Sequence, residues 1–191
     1  MSLVDLIARA DERGLAASGL ACLDRCVPLL GGDDEILRPL WGNLTDASDA
    51  AEWGGLLEQI RGKPGIAGDP VEEDGDGGDE AVLLARRMLA AAPAERTAAQ
   101  LRAWADACSV ASLRIHRLLD PADDPASLDS RRAGSIEDMP PLAAAELRRQ
   151  VTVLEVLAGH GAGGLRRALE VSVEGRRVLR AVVSRRARGR G

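Results

Sequence analysis

The chain has 191 residues with 30 acidic and 25 basic side chains, a formal net charge of −5, and no phenylalanine or tyrosine. That length suits one domain whose core needs no disulfide or metal staple, and a core of leucine, alanine and valine with only Trp41, Trp53 and Trp104 favours helices over strands. No apolar run reaches membrane-spanning length, and Leu3 and Val4 are followed at once by Asp5, so a soluble cytoplasmic protein without a secretory signal is expected.

Helix signals recur along the whole chain. Ser2 and Asp5 have capping-box spacing, and a first helix is expected to run to Arg13, ended by Gly14. Leu20, Leu23, Val27 and Leu30 repeat at helical steps in a second helix over 15–30, loosened by Pro28. After Gly31-Gly32, Asp33 or Asp34 is the expected cap of a third helix reaching Leu44, made short or kinked by Pro39. A fourth follows, capped by Asp46 or Ser48, with Trp53, Leu56, Leu57 and Ile60 facing inward and a stop at Gly62. Residues 62–79 hold only Ile66 and Val71 as large apolar side chains among Gly, Pro, Asp and Glu, and predict a flexible acidic loop.

A fifth helix is expected over 80–91 and a sixth over 94–119, with Pro93 at the junction and Leu101, Trp104, Cys108, Ala111, Ile115 and Leu118 as the sixth helix's apolar stripe. Residues 120–138 predict another polar loop, with Asp138 capping a seventh helix that opens on Pro140-Pro141, carries Leu147, Val151, Leu154 and Leu157, and ends at Gly159. The segment 168–183 could be a hairpin about Glu174-Gly175. Helical geometry decides otherwise: Arg166, Arg167, Glu170, Glu174 and Arg177 fall in one arc of roughly 100°, opposite Leu165, Leu169, Leu179, Val182 and Val183, so one helix is expected over 164–186, weakened near Gly175.

The expected fold is therefore all-α: about eight helices in a compact bundle, 1–191 as a single domain, with polar loops at 62–79 and 120–138 and a basic tail at 185–191. A short α-solenoid is the alternative, and the absence of a fixed-period repeat counts against it.

Charge divides along the chain. Residues 1–80 carry 18 acidic and 6 basic side chains, and residues 81–191 carry 12 acidic and 19 basic. Lys63 is the only lysine, and abundant Ala, Gly, Arg, Asp and Pro match GC-rich codons, as in an actinobacterial or other GC-rich bacterial genome. The arginine surplus is thus no sign of nucleic-acid binding by itself. Its local concentration at Arg176, Arg177, Arg180, Arg185, Arg186, Arg188 and Arg190 could still hold phosphates or an acidic protein surface. His160 and the glycines 161, 163 and 164, followed by Arg166 and Arg167, could form an anion site at a helix start, but no strand precedes them, so this is no dinucleotide fingerprint.

Cys22 and Cys26 share one helix face, and Cys108 and His116 share another. The four could converge as zinc or copper ligands, but the expectation is that these thiols are small buried hydrophobes of a reducing compartment, with no metal or cofactor. The groups Asp33-Asp34-Glu35, Asp120 with Asp123 and Asp124, and Asp69 to Glu80 are read as caps, turns or loop, not as cation sites. His116 and His160 are the only imidazoles, neither beside a recognisable nucleophile, and Lys63 sits in a Gly-Pro loop, so no catalytic signature emerges. By elimination the expected function is a non-catalytic protein–protein interaction or regulatory module with another protein as partner. The alternatives are a nucleic-acid-associated protein using its arginine-rich C-terminal helix and a helical protein binding a small ligand or metal.

Overall fold

The computed structural model describes residues 1–45, 50–66 and 77–189, and among these every regular element is a helix. Helix α1 (Leu3–Arg9) opens with the expected capping box, in which Ser2 and Asp5 satisfy each other's backbone amides. It ends earlier than its sequence suggests. Asp11 Oδ1 accepts the Gly14 amide at 2.7 Å and starts α2 (Glu12–Arg25), which places Gly14 in a first turn and not at a helix end. A carboxylate that satisfies an orphan amide outweighs glycine's preference for stopping a helix. Pro28 falls in a 3₁₀ turn, Val27–Leu29, that succeeds α2.

Helix α3 (Arg38–Thr45) starts beside Pro39 and not at Asp33 or Asp34; Asp33 Oδ1 instead accepts the Glu35 amide in the turn before it. Helix α4 (Ala50–Arg61) stops before Gly62 as expected, and its expected caps Asp46 and Ser48 lie outside the described residues. Helix α5 (Gly77–Ala90) takes in the end of the predicted acidic loop, and residues 67–76 lie outside the description. Helix α6 (Ala98–Leu119) is capped by Thr97, so Pro93 stands in the connector, where its carbonyl accepts Trp53 Nε1 at 2.9 Å.

The predicted loop 120–138 contains a further helix, α7 (Leu128–Ala133), capped by Ser127. Arg131 organises it: the guanidinium grips Asp124 at 2.7 and 3.2 Å and donates to the carbonyls of Ser135 and Glu137. Helix α8 (Pro141–His160) is not capped by Asp138, which sits at a φ of 54°. Its first-turn amide at Leu142 is satisfied by Asp120 Oδ2 at 2.8 Å, from the end of α6. A 3₁₀ turn, Gly161–Gly164, leads into α9 (Leu165–Gly189), one unbroken helix as the charge arc predicts.

Helix α2 is the axis of the bundle. Every residue from Gly14 to Arg25 is buried, as befits a helix walled on all sides. Its walls are α6, α8 and α9, with α3 and α5 closing the remainder. A solenoid unit would meet only its chain neighbours, whereas α2 packs on the last two helices of the chain, so the bundle and not the solenoid is the architecture. Trp53 and Trp104 meet edge to face at 6.3 Å, and Gly19 lets the Trp104 ring lie on α2, where a Cβ would come within 2.7 Å of it.

Several arginines act as clamps on helix ends. Arg61 donates to the carbonyls of Leu89 and Ala90 at the end of α5 and of Ala92 just past it. Arg102 does the same for Ile7, Ala8 and Ala10 at the end of α1. Guanidiniums suit such places because the last carbonyls of a helix lack intrahelical partners and carry its negative dipole end. Among the described residues no helix is long and apolar enough to cross a membrane.

Candidate functional site

Helix α9 forms because Leu165, Ala168, Val171, Ser172, Gly175, Arg176 and Leu179 make a buried stripe at three- and four-residue steps. From Gly175 onward the chain carries seven arginines and no acidic residue. These arginines divide into two sets. Arg176 is buried, donates to Asp24 Oδ1 at 2.9 Å and to the Asp34 carbonyl, and stands 3.9 Å from Glu35. Arg180 pairs with Asp34. These two fasten α9 to the acidic turn after α2, and Arg176 is thereby removed from the predicted anion-contact set: its charge answers a buried carboxylate.

Arg177, Arg185 and Arg188 are exposed and Arg186 is half-buried, and none has a carboxylate partner among the described residues. Arg190 lies outside the described residues. At the other end of α9, Arg166 and Arg167 pair with Glu170 on their own helix at 3.5 and 3.2 Å. The glycine turn beside them has a packing reason. A Cβ on Gly164 would stand 2.7 Å from the Val156 carbonyl oxygen, so this glycine lets α8 and α9 close tightly. His160 is exposed, its Nδ1 3.2 Å from the Val156 carbonyl.

Beneath α9 lies an ionic centre that the sequence analysis missed. Arg25 and Glu146, both fully buried, form a two-pronged pair with each contact at 2.7 Å. Glu146 Oε1 also accepts from Ser112 Oγ at 2.7 Å and Gln150 Nε2 at 2.9 Å. Ser109 Oγ donates to Gln150 Oε1 and accepts from Arg132, which reaches out to Asp106. Four helices, α2, α6, α7 and α8, meet in this network. Burial opposes ionisation of Glu146, but Arg25, His116 and Gln150 outweigh it and hold the carboxyl down at about 2. The signal was present in α8: Ala143, Glu146, Gln150, Val153 and Leu157 repeat at three- and four-residue steps, a core stripe with two polar members.

The four candidate metal ligands, Cys22, Cys26, Cys108 and His116, are all buried at the contact of α2 with α6. Three of them are engaged differently. Cys22 Sγ accepts from Arg25 at 3.4 Å, Cys26 Sγ lies 3.8 Å from Ser112 Oγ, and His116 Nδ1 donates to the Ser112 carbonyl at 2.7 Å. Among the described residues no group of three or more His, Cys, Asp or Glu is arranged to hold a metal ion. Burial pushes the Cys22 thiol up to about 12 and the Cys26 and Cys108 thiols well up too, so all three are protonated near neutrality. Among the acidic groups read as structural, Asp33, Asp34, Asp120 and Asp124 hold backbone amides or arginines as described; Glu80 pairs with Arg114.

The ionic centre sets a pH dependence. Glu146 is held below the ordinary 4.5, so its stabilisation is complete above that pH and is lost as pH falls towards 2. Burial likewise lowers the His116 imidazole below 6.5, against the pull of Glu146, and its contribution also disappears on acidification. Asp24 works in the opposite sense, since burial raises its carboxyl to about 6 against the pull of Arg176. Above pH 6 it is a buried charge in the folded state, and protonation below that pH favours the folded state and opposes the loss at His116. Between pH 6.5 and 4.5 the two groups therefore pull the urea midpoint in opposite directions, and below 4.5, as Glu146 takes up its proton, the midpoint is expected to fall steeply. A midpoint that holds or rises as pH drops from 4.5 towards 2 would show that Glu146 does not carry the native charge.

The chain matches no protein-family model, no curated protein and no solved structure. The functional reading therefore rests on the chain's own geometry.

Proposed function

We propose that this chain is a non-catalytic helical interaction module that engages an acidic protein partner through the end of α9. One observation carries the reading. Arg177, Arg185, Arg186 and Arg188 share the last turns of one helix with no carboxylate partner among the described residues, while the other four arginines of that helix each answer a carboxylate. Unpaired guanidiniums on a rigid helix offer forked donors to carboxylates and speed encounter with a negative surface. Val182 and Val183, half-buried beside them, add apolar contact area. The buried free thiols support a reducing, cytoplasmic setting.

The test is affinity capture from cells that make the protein, at moderate salt and after nuclease, with the whole chain and with a variant carrying Arg177→Gln, Arg185→Gln, Arg186→Gln and Arg188→Gln. A near-stoichiometric protein partner that survives nuclease, dissociates at high salt and is lost with the variant is the expected result. Recovery of nucleic acid in place of protein moves the reading to phosphate binding. A partner held equally by the variant removes α9 from the interface.

A further inference from the structure

A cleft of about 230 Å³ opens between α2, α3 and α9. Two of the residues that line it carry buried polar atoms without a hydrogen-bond partner: Trp41 Nε1 and Asp24 Oδ2. Trp41 is 4% exposed and Asp24 1%, so bulk water does not serve either of them. The contrast with the other two tryptophans is informative. Trp53 Nε1 donates to the Pro93 carbonyl and Trp104 Nε1 to the Met88 carbonyl, both at 2.9 Å. The fold thus satisfies every indole except the one in the cleft, and buried donors and acceptors are rarely left unmatched.

The two orphans are of opposite kind. Trp41 Nε1 offers a proton and needs an acceptor. Asp24 Oδ2 is a carboxylate oxygen and needs a donor, its sister oxygen being taken by Arg176. Leu169 and Val173 supply an apolar wall. At the rim, Glu35 and Arg38 carry opposite charges in an exposed pair at 3.5 Å, loose enough to exchange each other for charges on a ligand. The volume lies below the roughly 300–1,000 Å³ of drug-sized pockets, which sets the ligand at metabolite size.

We infer that this cleft binds a free α-amino acid with an apolar side chain. Its ammonium group donates to Asp24 Oδ2, its carboxylate accepts from Trp41 Nε1, and its side chain lies on Leu169 and Val173. Glu35 and Arg38 meet the same two charges from outside. The inference stands independently of the α9 interface.

L-leucine is the probe, titrated into the full chain and followed by calorimetry and by saturation-transfer NMR. Saturable one-to-one binding is expected, competed by L-valine and at least tenfold weaker in Trp41→Phe, which removes the indole donor. Val173→Trp fills the cleft and is expected to abolish binding while far-UV circular dichroism stays helical. If that variant does not fold, the exposed Arg38→Glu replaces it, with affinity at least fivefold lower. No saturable binding of leucine or valine to the unaltered chain overturns the inference and leaves ordered water as the occupant. Binding of equal strength in Trp41→Phe, or in the cleft-filling or rim variant, overturns it as well.

Discussion

Glu146→Ala is expected to cost on the order of 3–5 kcal/mol in urea unfolding, because it strands the Arg25 guanidinium where no water reaches. The converse, Arg25→Ala, leaves a carboxylate with two neutral donors and is expected to cost a similar amount. Removing both charges should be far milder. Arg25→Met with Glu146→Leu fills the space with apolar atoms and leaves only Ser112 and Gln150 short of an acceptor, at about 1 kcal/mol each. The double variant is therefore expected to lie about 2 kcal/mol below the parent and well above either alanine variant. Equal instability of the double and single variants would mean that the site is held by packing and not by the ion pair. The same comparison separates stability from specificity. Circular dichroism and amide dispersion in the double variant report whether α8 still takes one register against α2.

Gly175→Ala is expected to destabilise the protein, against the rule for helix interiors. That rule gives a gain of about 1 kcal/mol for alanine over glycine. Here a Cβ would lie 2.4 Å from Arg25 Cδ, 2.9 Å from Cγ and 3.0 Å from Arg149 Cδ. The Arg25 atoms belong to the middle of a side chain anchored at its far end by Glu146, so they cannot swing aside. Overpacking of this sort costs about 1–3 kcal/mol. Gly55→Ala in α4 is the control: that glycine is exposed, with nothing within 4 Å of where a methyl group would stand, and the helical rule should hold. Measured by thermal or urea unfolding, the two substitutions are expected to move stability in opposite directions. A gain at Gly175 would mean that α9 stands off α2 further than these distances allow.

The two substitutions also show what the sequence could and could not disclose. Gly175 reads as a weak point in a helix when only its own helix is considered, and its real task is visible only once Arg25 lies across from it. Helix identity was legible because charge and apolar residues repeat at the helical period, and α9 is the clearest case: its charge arc excluded a hairpin. The cap at Ser2 and Asp5 was legible because both partners are polar and three residues apart, whereas Asp11, at the same distance from Gly14, was masked by a glycine that reads as a helix end. Asp120 serves α8 from 22 residues upstream, and nothing local distinguishes it from Asp138. The free arginines of α9 were legible as a cluster, but Arg176 could be separated from them only by the carboxylate it meets from 152 residues earlier. The stripe containing Glu146 and Gln150 could have been found, since polar residues on core positions announce a buried partner. Trp41 could not, because an indole's hydrogen bonding depends on carbonyls that no periodicity locates.

The central position of α2 has a consequence for how the chain is made. Two of its walls, α8 and α9, are built from residues that follow it by more than a hundred positions: Arg25 waits for Glu146, 121 residues later, and Asp24 for Arg176. During synthesis the second helix emerges with its leucines and a guanidinium that has nothing to bind, and it stays so until α8 and α9 have left the ribosome. Contacts closed over such long loops form slowly, and apolar surface left open in the interval invites aggregation. Of the helices described, the arginine-rich one is translated after the others and seals the bundle, so a nascent chain interrupted before it holds most of these helices and lacks the wall that encloses the second.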